Sequence, residues 1–192
     1  MDLAPWRSPL SRALHRNRSL PEARYFQLAT VRQDGRPANR TVVFRGFLDE
    51  TNSLQTVTDA RSEKVEQLRQ NPWAEACWYF SKTREQFRLT GQLQLIEAAE
   101  PDEALAAIRQ QLWENLSDKA RSQFAWDHPG KPRQPDAEFA SEIPASTAPL
   151  PAFCALLLHP IHVDHLELRG DPQNRTRYDK EKDGWVGCSI NP

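Results

Sequence analysis

A tight hairpin is the strongest constraint that the sequence places on the fold. The β-rich segments RYFQLATV and RPANRTVVFRGF flank Asp34-Gly35, and both of these residues tolerate positive φ. Further β-rich runs occur at 53–58, 74–80, 85–97, 153–168, 175–180 and 185–190. Because these runs are short and only a few helices separate them, they predict a mainly β protein, with a closed or nearly closed antiparallel barrel and peripheral helices.

Helices are predicted before and between the strands. An amphipathic N-terminal helix is indicated by the apolar stripe Trp6, Leu10, Ala13 and Leu14. The segment 58–72 predicts a second helix, which Asp59 caps and Asn71-Pro72 ends. The segment 101–116 predicts a third helix, and Ser117 is placed to cap a fourth.

A long stretch from 127 to 151 is rich in Pro, Ser and Ala. Such a composition predicts a mobile excursion without regular structure. We interpret it as a loop within a single domain that covers residues 1–192, because a chain of 192 residues has about the length of one domain.

The charge balance limits which partners are plausible. The chain has 25 Lys and Arg residues against 26 Asp and Glu residues, a net charge of −1, so it lacks the basic field of a nucleic-acid-binding protein. The sequence has no apolar run of the roughly 20 residues that span a bilayer, and its first ten residues do not have the order of a signal peptide. We therefore expect a cytoplasmic protein that binds neither membrane nor nucleic acid.

Three histidines in HPIHVDH suggest a metal site at first sight. On an extended strand, however, His162 points away from His159 and His165, and the latter two are about 20 Å apart at roughly 3.3 Å per residue. We expect Pro160 to interrupt the β structure here, and we predict no metal site. Phosphate-binding glycine loops and the GxSxG and HExxH motifs of hydrolases are also absent from the sequence.

Cations are concentrated where the second helix is predicted to begin. Arg61, Ser62 and Lys64 fall in or near its first turn, where the helix dipole disfavours positive charge. A helix start also offers free N–H groups, so the cluster is typical of a site that binds an anion such as a phosphate monoester. The alternative is a set of solvated surface side chains.

The order of the motifs adds a resemblance to a known family. LATVRQDGRPANRTVVFRGF, LQTVTDARSEKVEQLRQNP, CWYFSKTREQFRLTGQ and PQNRTRYDKEKDGWVGCSINP together closely resemble the pyridoxamine 5'-phosphate oxidase-like flavoproteins, in particular their FMN-binding branch common in cyanobacteria and plants. The resemblance runs from about Tyr25 to Gln92 and from Pro151 to the C-terminus. It implies a split β-barrel, a homodimer, and FMN held non-covalently between the subunits.

The resemblance also assigns cofactor-binding residues. In the family, one strand runs along the flavin ring, and its counterparts here are Arg40, Thr41, Val42, Val43 and Arg45. The family's phosphate ligands fall on Val57, Thr58, Ser62 and Lys64, and Arg61 is well placed to join them. Two further positions match, Gln86 on the following strand and Arg175, which in such dimers comes from the second subunit. The aromatic residues of CWYF are candidates for the dimer interface.

The substrate is less defined than the cofactor. Oxidases of pyridoxine phosphate carry an Arg and a His shortly before the final Arg, and a Tyr, Arg and Ser set on the middle helices. This chain has no His in GDPQNRTRY, and Trp113, Ser117 and Arg121 stand near the helical positions. The sequence therefore predicts an FMN-dependent oxidoreductase for an unidentified small molecule. The alternatives are a non-catalytic FMN-binding or flavin-sensing module and, more remotely, a barrel that binds heme or a deazaflavin.

Overall fold

The fold was established from a computed structural model, which describes residues 3–139 and 142–192. The helices are α1 (Arg7–Asn17), α2 (Glu63–Gln70), α3 (Glu103–Glu114) and α4 (Asp118–Ser122). The strands are β1 (Tyr25–Val31), β2 (Pro37–Val43), β3 (Gly46–Phe47), β4 (Leu54–Asp59), β5 (Trp73–Phe80), β6 (Glu85–Ile96), β7 (Phe153–Glu167), β8 (Asn174–Glu181) and β9 (Gly184–Ile190). Short 3₁₀ turns lie at Pro21–Arg24, Gln123–Ala125 and Asp136–Phe139.

One antiparallel sheet contains all nine strands that the described residues form. Its order is β2-β1-β5-β6-β7-β4-β3, with β8 added beside β7 and β9 beside β8. β1 and β2 form the predicted hairpin, in which Gly35 has a φ of 80° and the Asp34 carboxylate accepts a hydrogen bond from the backbone N–H of Arg36. The mainly β prediction is confirmed.

The long strands β6 and β7 are paired over almost their whole length, and this pairing contains one irregularity. The register shifts between Thr90 and Gly91, where Gly91 pairs with Pro160 and Thr90 pairs with His162. A Cβ atom on Gly91 would lie 2.1 Å from the carbonyl oxygen of His159, so the close approach of the two backbones requires glycine. The predicted interruption at Pro160 is wrong, because β7 continues through Pro160 to Glu167.

Strand β7 separates two apolar clusters because its residues alternate between its two faces. Leu156 and Leu158 belong to the larger cluster, which contains most of the buried aromatic residues, including Trp6 at the N-cap of α1, and Leu10 of α1. Leu157 and its neighbours on the other face of β7 contact α3, whose Trp113 is fully buried in this second cluster. The predicted N-terminal helix thus docks on the sheet as expected.

The structure corrects the proposed role of CWYF. Trp78 and Phe80 are fully buried in the chain's own core, and the Trp78 Nε1–H donates to the carbonyl of Ala23. Only Tyr79, whose side chain alternates to the opposite face of β5, is exposed among these aromatic residues. Trp78 and Phe80 are therefore not available for a subunit interface.

The Pro-rich segment, which was predicted to lack regular structure, contains one short 3₁₀ helix, Asp136–Phe139, among its described residues. The predicted mobility of 127–151 stays a prediction, and its residues 140 and 141 lie outside the described part of the chain. Among the residues that the structure describes, no helix is both long and apolar enough to cross a membrane.

Candidate functional site

A cavity of about 590 Å³ lies between the sheet and the segment that follows α4. On the sheet side, its wall consists of Arg40, Thr41, Val42, Val43, Arg45, Val57, Thr58, Asp59 and Lys64. Ala120, Gln123, Phe124, Trp126, residues 127–134 and Phe139 form the opposite wall. Eight of the twelve predicted cofactor-binding residues therefore line one cavity.

Lys64 forms the cationic end of this cavity. Its Nζ donates a 2.7 Å hydrogen bond to Thr58 Oγ1, which lies 3.1 Å from Ser62 Oγ. Burial and, after it, the positive charge of Arg40 lower the pKa of Lys64 from 10.5 to about 8. Within the described residues no carboxylate forms an ion pair with Lys64. The end of β4 and the first turn of α2 thus present a desolvated cation beside two hydroxyl groups.

Arg40 is held rigidly behind this cation. Its guanidinium donates to Thr30 Oγ1 at 2.6 Å and to Gln67 Oε1 at 3.1 Å, and also to two backbone carbonyls. Burial lowers its pKa, followed by the charge of Arg32. These contacts connect the β1–β2 hairpin to α2, so Arg40 both supports the site and contributes positive charge to it.

Arg61 does not lie in the first turn of α2, where the sequence analysis placed it. The helix α2 begins at Glu63 with Ser62 as its N-cap, so the prediction that Asp59 caps it is wrong. The Asp59 carboxylate instead accepts from the Arg61 backbone N–H and forms a two-point ion pair with its guanidinium, at 2.9 and 2.7 Å. This pair raises the pKa of Arg61. Neither Arg61 nor Ser62 is part of the cavity wall, and their contact with a phosphate stays a prediction.

Strand β2 supplies a polar backbone edge. In the part of the chain that the structure describes, it pairs with β1 alone, which leaves its other edge without a strand partner. Just beyond its end, Arg45 has a buried Nε with no hydrogen-bond partner among the described residues. Burial lowers the pKa of Arg45, with a further contribution from Arg24. The edge can therefore offer backbone donors and acceptors to a flat heterocycle, and Arg45 adds an uncompensated cation.

Gln86 and Arg175 do not line this cavity, but the sheet brings them close to each other. In the register of β6, β7 and β8, Gln86 pairs with Leu166 and Leu166 pairs with Arg175. Residues directly opposite one another share a sheet face. A two-point ion pair with the buried Asp164, at 3.0 and 2.6 Å, fixes the guanidinium of Arg175 and raises its pKa.

The histidines of β7 have separate partners. His159 bonds Ser53 and Gln94, His162 bonds Asp179, and His165 bonds Glu85 while its ring stacks on Phe87. Possible ligand atoms of Glu85, His165 and Glu167 do lie within 4.8 Å of one another. A hydrogen bond between His165 and Glu85 accounts for the proximity of these two side chains.

The sequence analysis missed the second wall of the cavity. Trp126, Lys131, Arg133 and Phe139 all come from the segment around the Pro-rich stretch, and we call these four residues the loop wall. The presence of aromatic and cationic residues among the prolines was the available signal. It was overlooked because such composition usually indicates solvated loops.

The antiparallel sheet, the free β2 edge and the buried cation define a barrel that binds a flat cofactor carrying a phosphate. Residues 3–97 match the model of the pyridoxamine 5'-phosphate oxidase FMN-binding domain. The chain is 40% identical over 196 residues to pyridoxine/pyridoxamine 5'-phosphate oxidase 2 of Arabidopsis thaliana, covering 99% of this chain and 98% of that protein. The chain belongs to the pyridoxamine 5'-phosphate oxidase family.

Two further relatives agree with this assignment. The crystal structure of a pyridoxamine 5'-phosphate oxidase-related, FMN binding protein from Nostoc punctiforme is 55% identical and superimposes with a TM-score of 0.97 over the whole of both chains. This match confirms the split-barrel prediction. A dihydrophenazinedicarboxylate synthase of Pseudomonas chlororaphis is 29% identical, with 89% of this chain and 76% of that protein covered.

FMN is the cofactor of this family's domain, and the side chains present here fit it. A phosphate monoester suits the desolvated cation of Lys64 and the hydroxyl of Thr58, both of which can donate to phosphate oxygens. The polar edge of a flavin ring suits the unpaired edge of β2. The FMN prediction is thus confirmed at the level of the family, while the individual contacts remain proposals.

Proposed function

We propose that this protein is an FMN-dependent oxidoreductase that acts on a small organic molecule. The observation that supports this most strongly is the two-sided cavity, in which the predicted cofactor residues occupy one wall and the loop wall faces them. The space between the walls lets a second molecule approach the cofactor. A relative named as an oxidase, 98% of whose length aligns with this chain, supports the same reaction class.

The protein's residues in this proposal bind and orient. Lys64 and Thr58 would hold the cofactor phosphate, and the unpaired edge of β2 would bind the polar edge of the flavin ring. Bound FMN supplies hydride acceptance from the substrate and electron transfer to an acceptor such as oxygen. The apolar wall residues Val42 and Val57 exclude water from beside the ring. A side-chain acid or base is not required for this chemistry.

The proposal includes a homodimer in which each FMN contacts both chains. Gln86 and Arg175 are outside the cavity and lie in one cross-strand row, on either side of Leu166, as expected if they reach the cofactor of a partner chain. Exposed Tyr25, Trp73 and Tyr79 offer apolar area for such an interface.

Mixed dimers test this assembly. If Lys64→Met and Arg175→Ala chains are co-purified as a heterodimer, one site carries both defects and the other none. We expect about half of the wild-type FMN content in the heterodimer. A stable monomer that holds one FMN, found by sedimentation, would refute the shared site.

Turnover is tested with the FMN-loaded protein. Candidate donors are added without oxygen while the flavin absorbance near 450 nm is followed, and air is then admitted. Bleaching followed by recovery and hydrogen peroxide release supports an oxidase. Flavin that stays oxidised with every donor, including NADH and NADPH, would favour the non-catalytic FMN-binding module.

Oxidation of pyridoxine or pyridoxamine 5'-phosphate is the second candidate, and the 40% identical relative favours it. The three residues near the expected substrate-phosphate positions have other roles here. Trp113 is buried and donates to Ala145, Ser117 caps α4, and Arg121 donates to Leu116 and Asp118. Turnover of pyridoxine 5'-phosphate in the same assay would therefore require a different set of phosphate ligands.

A further inference from the structure

Three polar side chains form a closed ring of hydrogen bonds behind the cofactor cavity. Arg40 of β2 donates through Nη1 to Thr30 Oγ1 at 2.6 Å and through Nη2 to Gln67 Oε1 at 3.1 Å. The Thr30 hydroxyl donates to the same Gln67 oxygen at 2.7 Å. The ring therefore joins β1, β2 and α2 at the guanidinium of Arg40.

Gln67 provides the central acceptor of this ring. Its Oε1 receives two hydrogen bonds, so only the oxygen of its amide can face Arg40 and Thr30. Thr30 and Gln67 are only 2% and 7% exposed, so water does not readily replace a missing partner. The Arg40 guanidinium is thus oriented from β1 by a hydroxyl group and from α2 by one amide.

All the acceptors of Arg40 are neutral, which leaves its charge uncancelled. Besides the hydroxyl and the amide, they are the backbone carbonyls of Leu28 and Ala38. In the part of the chain that the structure describes, Arg40 forms no ion pair. A carboxylate at position 67 would contact the guanidinium directly and cancel this charge. The amide gives the same support without that loss.

Arg40 also has donors that remain free for a phosphate. Its hydrogen bonds use Nη1 and one N–H of Nη2, so the Nε–H and the second N–H of Nη2 have no acceptor among the described residues. Arg40 lines the cavity together with Thr58 and Lys64. A guanidinium can hold two phosphate oxygens at once, and this geometry requires a defined orientation of its plane.

We propose that Gln67 is a positioning residue for the cofactor phosphate and that its neutral amide contributes to the preference of the site for a phosphorylated flavin. Together with Thr30 it fixes the Arg40 guanidinium without neutralising it. Gln67 itself does not line the cofactor cavity, so it acts through Arg40. The inference rests on the proposed function for the phosphate contact, and it does not depend on turnover.

The experiment measures FMN and riboflavin affinities by flavin fluorescence for the wild type and two variants. Gln67→Glu keeps the shape of the side chain but pairs a carboxylate with Arg40, so the ratio of FMN to riboflavin affinity should fall at least about tenfold. Gln67→Met removes the acceptor without adding charge and should lower this ratio about three- to tenfold. Riboflavin affinity should change less than about threefold in both variants, which shows that the ring site is intact.

A charge control and a double-mutant cycle make the result specific. Gln70→Glu adds the same charge at an exposed position three residues later on α2, and should change the ratio less than about twofold. In the cycle, Gln67→Met should lower the ratio in the wild-type background and leave it unchanged in Arg40→Met. A purely structural role would lower the ratio in both backgrounds, because a shift of α2 displaces Lys64 in each. If the buried carboxylate of Gln67→Glu prevents folding, the cycle decides alone.

The outcomes separate this inference from the proposed function. If Lys64→Met lowers the ratio but neither Gln67 variant does, the role of Gln67 is overturned and the phosphate site stands. An equal effect of Gln67→Met with and without Arg40 would also overturn it. If Lys64→Met and Arg40→Met both leave the ratio unchanged, the cavity does not bind the phosphate, and the proposed cofactor site fails together with the inference.

Discussion

Lys64 is the side chain on which the proposed phosphate site depends most. Replacement by Met keeps the length and apolar stem of the side chain but removes its charge. Charge-assisted hydrogen bonds contribute about 1.5 to 3 kcal/mol each, so FMN affinity should fall roughly 10- to 150-fold. Riboflavin has the same ring without the phosphate, and its affinity should change less than about threefold.

The empty protein should tolerate this replacement. Lowering the Lys64 pKa from 10.5 to about 8 means that burial and the charge of Arg40 together disfavour the charged form in the folded protein by about 3 kcal/mol. Removing the charge relieves this penalty and loses only the hydrogen bond to Thr58. We therefore expect the melting temperature of the cofactor-free variant at pH 7 to be at least that of the wild type.

Fluorescence titration of both flavins against both proteins measures the effect. The ratio of FMN to riboflavin affinity isolates the phosphate contribution, since effects on the ring cancel. Lys182→Gln is a matched exposed control and should leave the ratio unchanged. An equal loss for the two flavins, or none for either, would refute the assignment of Lys64 to the phosphate.

Three other perturbations examine the remaining parts of the site and fold. FMN affinity should fall up to tenfold per pH unit above about 8, where Lys64 loses its proton in the cofactor-free protein, while riboflavin affinity should not change with pH. The same lowered pKa should make the cofactor-free protein more stable as the pH rises from 8 to 10.5, because over this range the unfolded chain binds a proton that the folded chain does not. Urea unfolding at each pH measures this gain. Arg61→Ala should lower the affinity for FMN about tenfold, because it leaves the Asp59 carboxylate without its ion-pair partner. Adding Asp59→Asn should restore this affinity. If it does not, Arg61 binds the phosphate directly, as the family resemblance predicts. Gly91→Ala should lower the free energy of unfolding by about 3 kcal/mol or more because its Cβ meets the His159 carbonyl, whereas Gly35→Ala, with open space but positive φ, should cost about 1 to 2 kcal/mol in the same denaturation assay.

Local sequence signals predicted the elements of this fold. The Asp34-Gly35 hairpin and the Ser117 cap were predictable because each depends on residues close together in the chain. The helix start at Ser62 was misassigned because Asp59 is an equally good capping residue by type. In the structure the Asp59 carboxylate instead forms an ion pair with Arg61. Capping preferences of residue types do not take such a competing interaction into account.

Features that depend on pairing between distant segments were not predictable in the same way. The register shift at Gly91 arises where β6 meets β7, more than 60 residues later in the chain. The alignment of Gln86 and Arg175 in one cross-strand row likewise follows from two successive strand registers. The loop wall requires knowing that residues 126–139 return to the cavity. In each case the sequence shows the residues, but it does not show which distant segment of the chain lies next to them in the fold.

The proposed phosphate site would explain why this chain keeps Lys64 without an ion-pair partner among the described residues, although stability alone would favour its removal. A carboxylate beside Lys64 would neutralise its charge in the empty protein, but the cofactor phosphate would then have to displace it or be repelled by it. Asp59 is the acidic residue of the cavity wall that is nearest to Lys64 along the chain, and its carboxylate instead forms an ion pair with Arg61. The empty site consequently remains at higher free energy, and a bound phosphate recovers part of that cost as binding energy. If Lys64 binds the phosphate as proposed, discrimination between FMN and riboflavin depends on this desolvated charge rather than on the flavin ring.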